Sequence, residues 1–390
     1  MLLNLKKRRR GQVRAIDFVV SLLLFLLMLT QLILVIINVQ TGLTTQMKDD
    51  LSFTELDTFG RSLLQKEGPP QWGYKQDLPS SFGLSESANL PSLTLDASKI
   101  ARLITGTTFP ISTISGFEQF SYDSIKNLLS LGTDQEFQLS ILPLLEISII
   151  ITQENDSAYQ ARVDITNVNN LPIEECTVSF FTLDLTTGSI ILAGVDSSGN
   201  DGEASIVYIN PNFNIPDGEH LSIVIAEKGP LWGIVWDSPS SNTEDVLIGR
   251  ESNAAIWSCG LNSSSLLISD MHEVVETPDE HFLSYIYKNN QGGFSNESIT
   301  PTFKFKANET VSIPTNGIVA FFSIIKQGDI YKVGIGTFPA VLDNNQNSGE
   351  FYNVFGKVED NLREKTRISK DFPVYIRGTL MKCRIILWSV

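Results

Sequence analysis

The residues from Phe18 to Val39 form an uncharged apolar run whose most polar members are Ser21, Thr30, Gln31 and Asn38. As a helix rising about 1.5 Å per residue, the run would span roughly 33 Å, enough for a hydrocarbon core of ~30 Å. Lys6 to Arg10, with Arg14, precede it, and such basic clusters are retained on the cytoplasmic side. The sequence therefore predicts a single-pass protein of the cell membrane, with its N-terminus cytoplasmic, the bulk of the chain extracellular and the lipid bilayer as a partner. An ordinary cleaved secretory signal fits poorly, because the run is too long and no small-x-small cleavage site follows it. Two readings remain: an uncleaved anchor, and a leader cut before the apolar helix.

The helical register continues past the span. No proline occurs before Pro69, and Leu43, Met47, Leu51, Leu56, Phe59 and Leu63 form an amphipathic stripe with charged residues between them. One helix is expected over 12–66, with its span at 18–39, interrupted weakly by Gly42 and Gly60 and ended by Glu67-Gly68-Pro69-Pro70. A small helical and turn module follows over 67–143, with Asp96 and Ser121 as N-caps. From Leu144 the apolar period changes to two. Short strands separated by turn signals predict a β-sandwich over 144–228. Residues 229–390 read as a further β-rich domain, with hairpins around Lys326-Gln-Gly-Asp329 and between Val374 and Trp388. The expected fold class is α+β: a long transmembrane and amphipathic helix, a helical module, and mainly β structure beyond it.

Two family resemblances bear on this layout. Arg9-Arg10-Gly11-Gln12, followed by Val13 to Phe18, resembles the processing region of archaeal pilin-like proteins with class III signal peptides. After it come Gly68-Pro69-Pro70-Gln71-Trp72, then Gly83-Leu84, Leu95-Asp-Ala-Ser-Lys99 and Tyr122-Asp-Ser-Ile-Lys-Asn-Leu128. Their order is similar to a module in the same pilin-like surface proteins, in which a terminal apolar strand ending in Trp, here Trp388, also occurs. The resemblance implies a cut between Gly11 and Gln12 by a prepilin peptidase, 1–11 as a basic cytoplasmic leader, and packing with other pilin-like subunits. Asp17, near the family's acidic position, would pair with a neighbour's N-terminal amine. Separately, Asn170-Leu-Pro-Ile173, Asp201-Gly-Glu-Ala204 and Val224-Ile-Ala226 resemble immunoglobulin-like domains of bacterial surface proteins.

The net charge is −15, and loss of residues 1–11, with five basic and no acidic side chains, takes it to −20. An acidic chain without a basic patch argues against nucleic acid as a partner and suits a solvated surface protein. Cys176, Cys259 and Cys383 are too few for a disulfide framework and read as buried small apolar residues. Asn155, Asn262, Asn296 and Asn308 each open an Asn-x-Ser/Thr sequon, a glycan acceptor sequence in an extracellular segment.

Chemistry has little to stand on. His272, Glu273, Glu276, Asp279, Glu280 and His281 cluster in sequence, but Pro278 interrupts any helix and the spacing fits no familiar zinc motif. The segment reads as a polar loop entering a strand at Phe282. The turn carrying Asp196, Asp201 and Glu203 could offer oxygen ligands to Ca²⁺, yet does not match an EF-hand. No phosphate-binding glycine loop and no Gly-x-Ser-x-Gly elbow occur. The sequence thus predicts no enzyme, no cofactor and no metal. It predicts a membrane-inserted extracellular structural or adhesive protein, pilin-like, such as a minor filament subunit. The alternative is a singly anchored surface binding protein that does not polymerise.

Overall fold

The computed structural model describes residues 22, 25–31, 54–69, 72–73, 79–87, 93–101, 103, 122–132, 135–155, 158–209, 220–237, 246–248, 252–258, 265–272, 280–289, 293–299, 306–312, 317–328, 330–339, 355–356 and 367–389. Residues 1–58 and 59–390 are two compact units. In the first, residues 22 and 25–31 are helical and expose Leu22, Phe25, Leu26, Leu27, Met28 and Leu29, with Met28 70% accessible. The Thr30 hydroxyl is turned back on its own helix, 3.0 Å from the Leu26 carbonyl and 2.8 Å from that of Leu27. Among the described residues no helix is long and apolar enough to cross a membrane. The rest of the Phe18–Val39 run, with Gly11, Gln12 and Asp17, lies outside the described residues.

The second unit is mainly β. Its first part is a helix on a sheet. The unit opens within helix α1 (54–65), from Phe59 on; this part buries Leu63 and Leu64, and Phe59 meets Phe137 edge-on at 5.7 Å. The sheet runs β1 (Thr94–Leu95), β19 (Arg367–Ile376), β20 (Thr379–Ser389), β2 (Gln135–Pro143), β18 (Phe355–Gly356). All its pairings are antiparallel except β1 with β19. The register sets Phe137, Leu139 and Ile141 opposite Leu387, Ile385 and Cys383. Side chains alternate across a strand, so these six share one face, the one that meets Phe59. Gly60 lets the helix come close: a Cβ there would stand 2.5 Å from the Phe372 ring and 3.2 Å from Ile385.

Three boundaries differ from those drawn on the sequence. The period of two begins at Gln135 rather than Leu144, since Phe137, Leu139 and Ile141 already alternate with polar residues. Among the described residues the terminal hairpin β19–β20 does not pair with the strands of 229–354. It pairs with β2, so residues 59–143 and 355–389 build one module, and the β regions between them are an insertion.

The first inserted region is a seven-stranded sandwich. β3 (Leu145–Asn155), β4 (Ala158–Asn167) and β7 (Glu203–Ile209) form one sheet; β6 (Ile190–Ser197), β5 (Thr177–Asp184), β8 (His220–Lys228) and β9 (Leu231–Asp237) form the other. Ala161, Val163, Ile165, Cys176, Val178, Phe180, Ala204, Ile206, Val224 and Ala226 fill the space between them. The chain switches sheet after β4, β6 and β7, the Greek-key order of immunoglobulin-like sandwiches. β9 completes the second sheet, so the sandwich ends at Asp237 and not at 228. The turn Gly229–Pro230 is the hairpin between β8 and β9.

The second inserted region pairs β10 (Val246–Ile248), β17 (Ile330–Phe338), β16 (Val319–Gln327), β13 (Glu280–Lys288) and β14 (Phe294–Ile299) in one sheet. β11 (Ser252–Ser258), β12 (Ser265–His272) and β15 (Lys306–Ser312) form another. It closes on the sandwich's outer face, where Phe181, Leu183, Leu221, Ile223 and Ile225 are all fully buried. Phe294 meets Phe181 edge-on at 5.8 Å, Ser284 donates to the Gly188 carbonyl, and Lys288 lies 2.9 Å from Glu227.

Candidate functional site

The motifs at 68–72, 83–84 and 95–99 are separate in sequence and meet at the C-terminal end of α1. A helix end leaves carbonyls without partners. Here the chain returns to supply donors: Leu84 N–H reaches the Leu63 carbonyl at 3.0 Å and Ser85 N–H reaches that of Lys66 at 3.0 Å. This close return requires Gly83, whose Cβ would stand 2.2 Å from the Lys66 carbonyl oxygen. Gly68, at φ +70, turns the chain out of the helix, and Trp72 folds back with its Nε1–H donating to the Gly83 carbonyl at 2.9 Å. The indole is 1% exposed and packs on Phe82.

Helix α2 (Ala97–Ala101) locks this return. Asp96 caps it, its Oδ1 accepting from Ser98 N–H at 2.8 Å, and its own N–H donates to the Leu84 carbonyl at 2.9 Å. The cap aims Lys99 inward. The residue is 1% exposed, and its ammonium donates to the Glu67 carbonyl at 2.8 Å and the Ser85 carbonyl at 2.6 Å. It also lies 6.0 Å above the Trp72 ring. Burial pulls the Lys99 pKa below that of a free lysine, while Asp96, Glu67 and Glu86 oppose the shift. A cation against the carbonyls beyond a helix C-terminus is electrostatically favoured, which offsets part of that burial.

A second fastening joins helix α3 (Tyr122–Leu128) to β2. Tyr122 and Lys126 stand four apart, on one helix face, and both reach Glu136. The Tyr122 hydroxyl donates to Oε2 and Lys126 Nζ lies 3.0 Å from Oε1. The Phe137 N–H donates to the Tyr122 hydroxyl at 3.0 Å. Burial first, and then the bond to Glu136, push the Tyr122 phenol well above its ordinary range. Trp72, Asp96 and Tyr122 stand out in the sequence, whereas Glu136 and the close approach at Gly83 do not. Glu136 sits at the start of the strand taken for turn, and its role becomes visible only once α3 is laid against it.

Together these contacts hold a helix end to a sheet. The Lys99 amine donates to the backbone carbonyls of Glu67 and Ser85, and so ties these two turns of chain together. Of the expected acceptor asparagines, Asn296 lies exposed on β14. Asn155 ends β3 and Asn308 lies in β15, without described side chains, and Asn262 is outside the described residues. His281 is not in a loop. It lies in β13, is 3% exposed, and has Nε2 3.3 Å from the Ser323 hydroxyl. His272 ends β12, in the other sheet, and 273–279 lie outside the described residues.

The turn carboxylates are occupied by the protein itself. Asp201 accepts from Glu203 N–H at 3.0 Å, Asp196 accepts from Ser205 N–H at 3.1 Å, and Glu203 pairs with Arg162. Among the described residues no group of His, Cys, Asp and Glu stands where it could hold a metal. Cys176 and Cys383 are free buried thiols, with burial raising Cys176 to about 11.

No protein-family model matches the chain, and no curated protein matches it. Solved structures similar to parts of it include a two-domain fibronectin type III segment of chicken tenascin, 12% identical over 49% of this chain and 97% of that one, with a TM-score of 0.17. A tetra-tandem repeat from the extending region of a large adhesion protein is 11% identical over 51% of this chain and 50% of that one, with a TM-score of 0.20. The chain thus matches about half the length of that repeat structure.

Proposed function

We propose that this chain is a membrane-anchored, extracellular structural or adhesive protein of the pilin-like kind, without catalytic activity. Residues 1–11 are its cytoplasmic leader, the Phe18–Val39 run its anchor, and Gly11–Gln12 the bond a prepilin peptidase cuts. One observation supports this reading: the motifs at 68–72, 83–84 and 95–99 that resemble the pilin-like module meet in one fastening at the end of α1, and the Tyr122–Leu128 motif makes a second one on β2. Gly68, Trp72, Gly83, Asp96 and Lys99 all contribute to the first. A subunit held by its N-terminal helix must pass any load on its head through such a joint. The exposed apolar side chains of 25–31 support a lipid or helix-packed setting for that segment.

N-terminal sequencing of the mature protein from membranes tests the processing. A start at Gln12 is expected, and an intact Met1 overturns it. Shearing the cells and sedimenting the released filaments tests assembly, with the chain expected in the filament pellet.

The inserted regions favour a second reading, a singly anchored surface binding protein. Between β2 and β18 the chain devotes both β regions to structure that the helix-on-sheet module does not need. Retention of the chain in membranes from sheared cells decides for this second reading.

A further inference from the structure

We infer that Asn296 is an N-glycan attachment site whose first sugars cover the apolar edge of the sandwich. The inference rests on the extracellular placement proposed above. Asn296-Glu297-Ser298 is a complete sequon, and it lies within β14, which closes one side of its sheet among the described residues. Alternation puts Phe294, Asn296 and Ser298 on one face of β14, and contacts identify that face. Phe294 packs on Phe181, while Ser298 bonds to Ser284 at 3.2 Å, which in turn donates to the Gly188 carbonyl. Gly188 leads into β6, and Phe181 pairs across the strands with Leu192 of β6. Asn296, between Phe294 and Ser298, therefore lies alongside the stretch of β6 from Ile190 to Leu192.

That stretch leads into an uncovered apolar edge: Leu192 is 43% and Val195 59% exposed, on the same face as Phe181. Asn296 is itself exposed. Glu297 lies on the opposite face of β14, where it accepts from the hydroxyls of Tyr285 and Tyr287. A sugar on Asn296 would shield Leu192 with its apolar ring face. It would also blunt a strand edge that could otherwise template pairing with another chain.

The chemistry is a transfer from a lipid-phosphate-activated oligosaccharide by a membrane glycosyltransferase. Asn296 Nδ2 forms a bond to the sugar's C1 as the C1–O bond to the lipid phosphate breaks. The phosphate leaves with that electron pair, and Nδ2 gives up one proton to a base of the transferase.

The test is glycopeptide mass spectrometry on the full chain purified from the membranes of the cells that make it. The same cells are first labelled with a membrane-impermeant amine reagent. The tryptic peptide 289–304 contains Asn296 as its one sequon and should carry a sugar mass. Asn296→Gln and Ser298→Ala should lose it, and Ser298→Thr, which keeps the sequon hydroxyl, should retain it. A bare Asn296 on chains whose lysines are labelled from outside overturns the glycan and leaves the surface placement standing. A bare Asn296 on chains labelled only after lysis overturns both.

Discussion

Lys99 carries a charge where almost no water reaches, and two backbone carbonyls depend on it. Lys99→Met removes the cation but leaves the Glu67 and Ser85 carbonyls without their donor. The expected loss is about 1–3 kcal/mol, read as a lower midpoint in chemical denaturation. Gly83→Ala should cost about as much, roughly 1–3 kcal/mol, because its Cβ meets backbone rather than a side chain that can move. Tyr122 adds a pH signature. Its folded pKa lies above the ordinary 10.0, so the folded state holds a proton that the unfolded chain gives up. Stability from this group is complete below pH 10 and falls as pH rises above it. Tyr122→Phe should flatten that alkaline fall in a series of denaturation curves, at the cost of the Glu136 bond. Residue identities were legible in the sequence here, since Asp96 before a helix and Gly68 after one follow from local backbone chemistry. The meeting of Lys99 with Ser85, or of Lys126 with Glu136, was not. A salt bridge or a carbonyl contact across the fold leaves no periodic mark on either segment.

At the scale of elements, the hairpin β19–β20 does two jobs. Its strands complete the sheet under α1, and its tip touches the second inserted region. Arg377 and Gly378 both have positive φ, 51 and 79, as the two-residue turn with a twist matching its strands requires. Arg377 is there for its side chain: Nε donates to the Gly317 carbonyl at 3.2 Å and the guanidinium stacks 4.6 Å from the Phe338 ring. Its own carbonyl accepts from Gly317 N–H at 3.1 Å. Arg377→Gly keeps the turn and deletes the side-chain contacts. Hydrogen exchange should then quicken around 317–320 while β19 and β20 stay protected. Strands such as β3, β4, β16 and β17 could be read from alternation and a glycine turn. The hairpin of β19 with β20 could be read too, but not the second partner of β20, because pairing with β2 beyond two intervening regions is set by tertiary packing. β2 was missed for a related reason: its polar positions Glu136, Gln138 and Ser140 are buried as well as its apolar ones, and it follows directly on a segment read as helix and turn.

For the whole molecule, the two inserted regions depend on each other. The sandwich has a closed core, but its outer face carries Phe181, Leu183, Leu221, Ile223 and Ile225, all buried, on the side where Phe294 of the second region meets Phe181. Cut at 237, the sandwich would expose that face, a patch of the kind that drives association. The fragment 144–338 should therefore be monomeric and unfold cooperatively. The fragment 144–237 should aggregate or bind a hydrophobic dye, as light scattering and fluorescence would report. The helix-on-sheet module depends on the chain in another way. β20 lies between β2 and β19, yet it is synthesised after both inserted regions. The sheet beneath α1 stays open until residue 389 has left the ribosome and, on the proposed route, crossed the membrane. A chain halted in transit would present finished outer strands and an unfinished seat for its own helix. A chain cut before β20 would therefore leave Phe137, Leu139 and Ile141 without the strand that faces them, and with them the seat of its own helix unfinished.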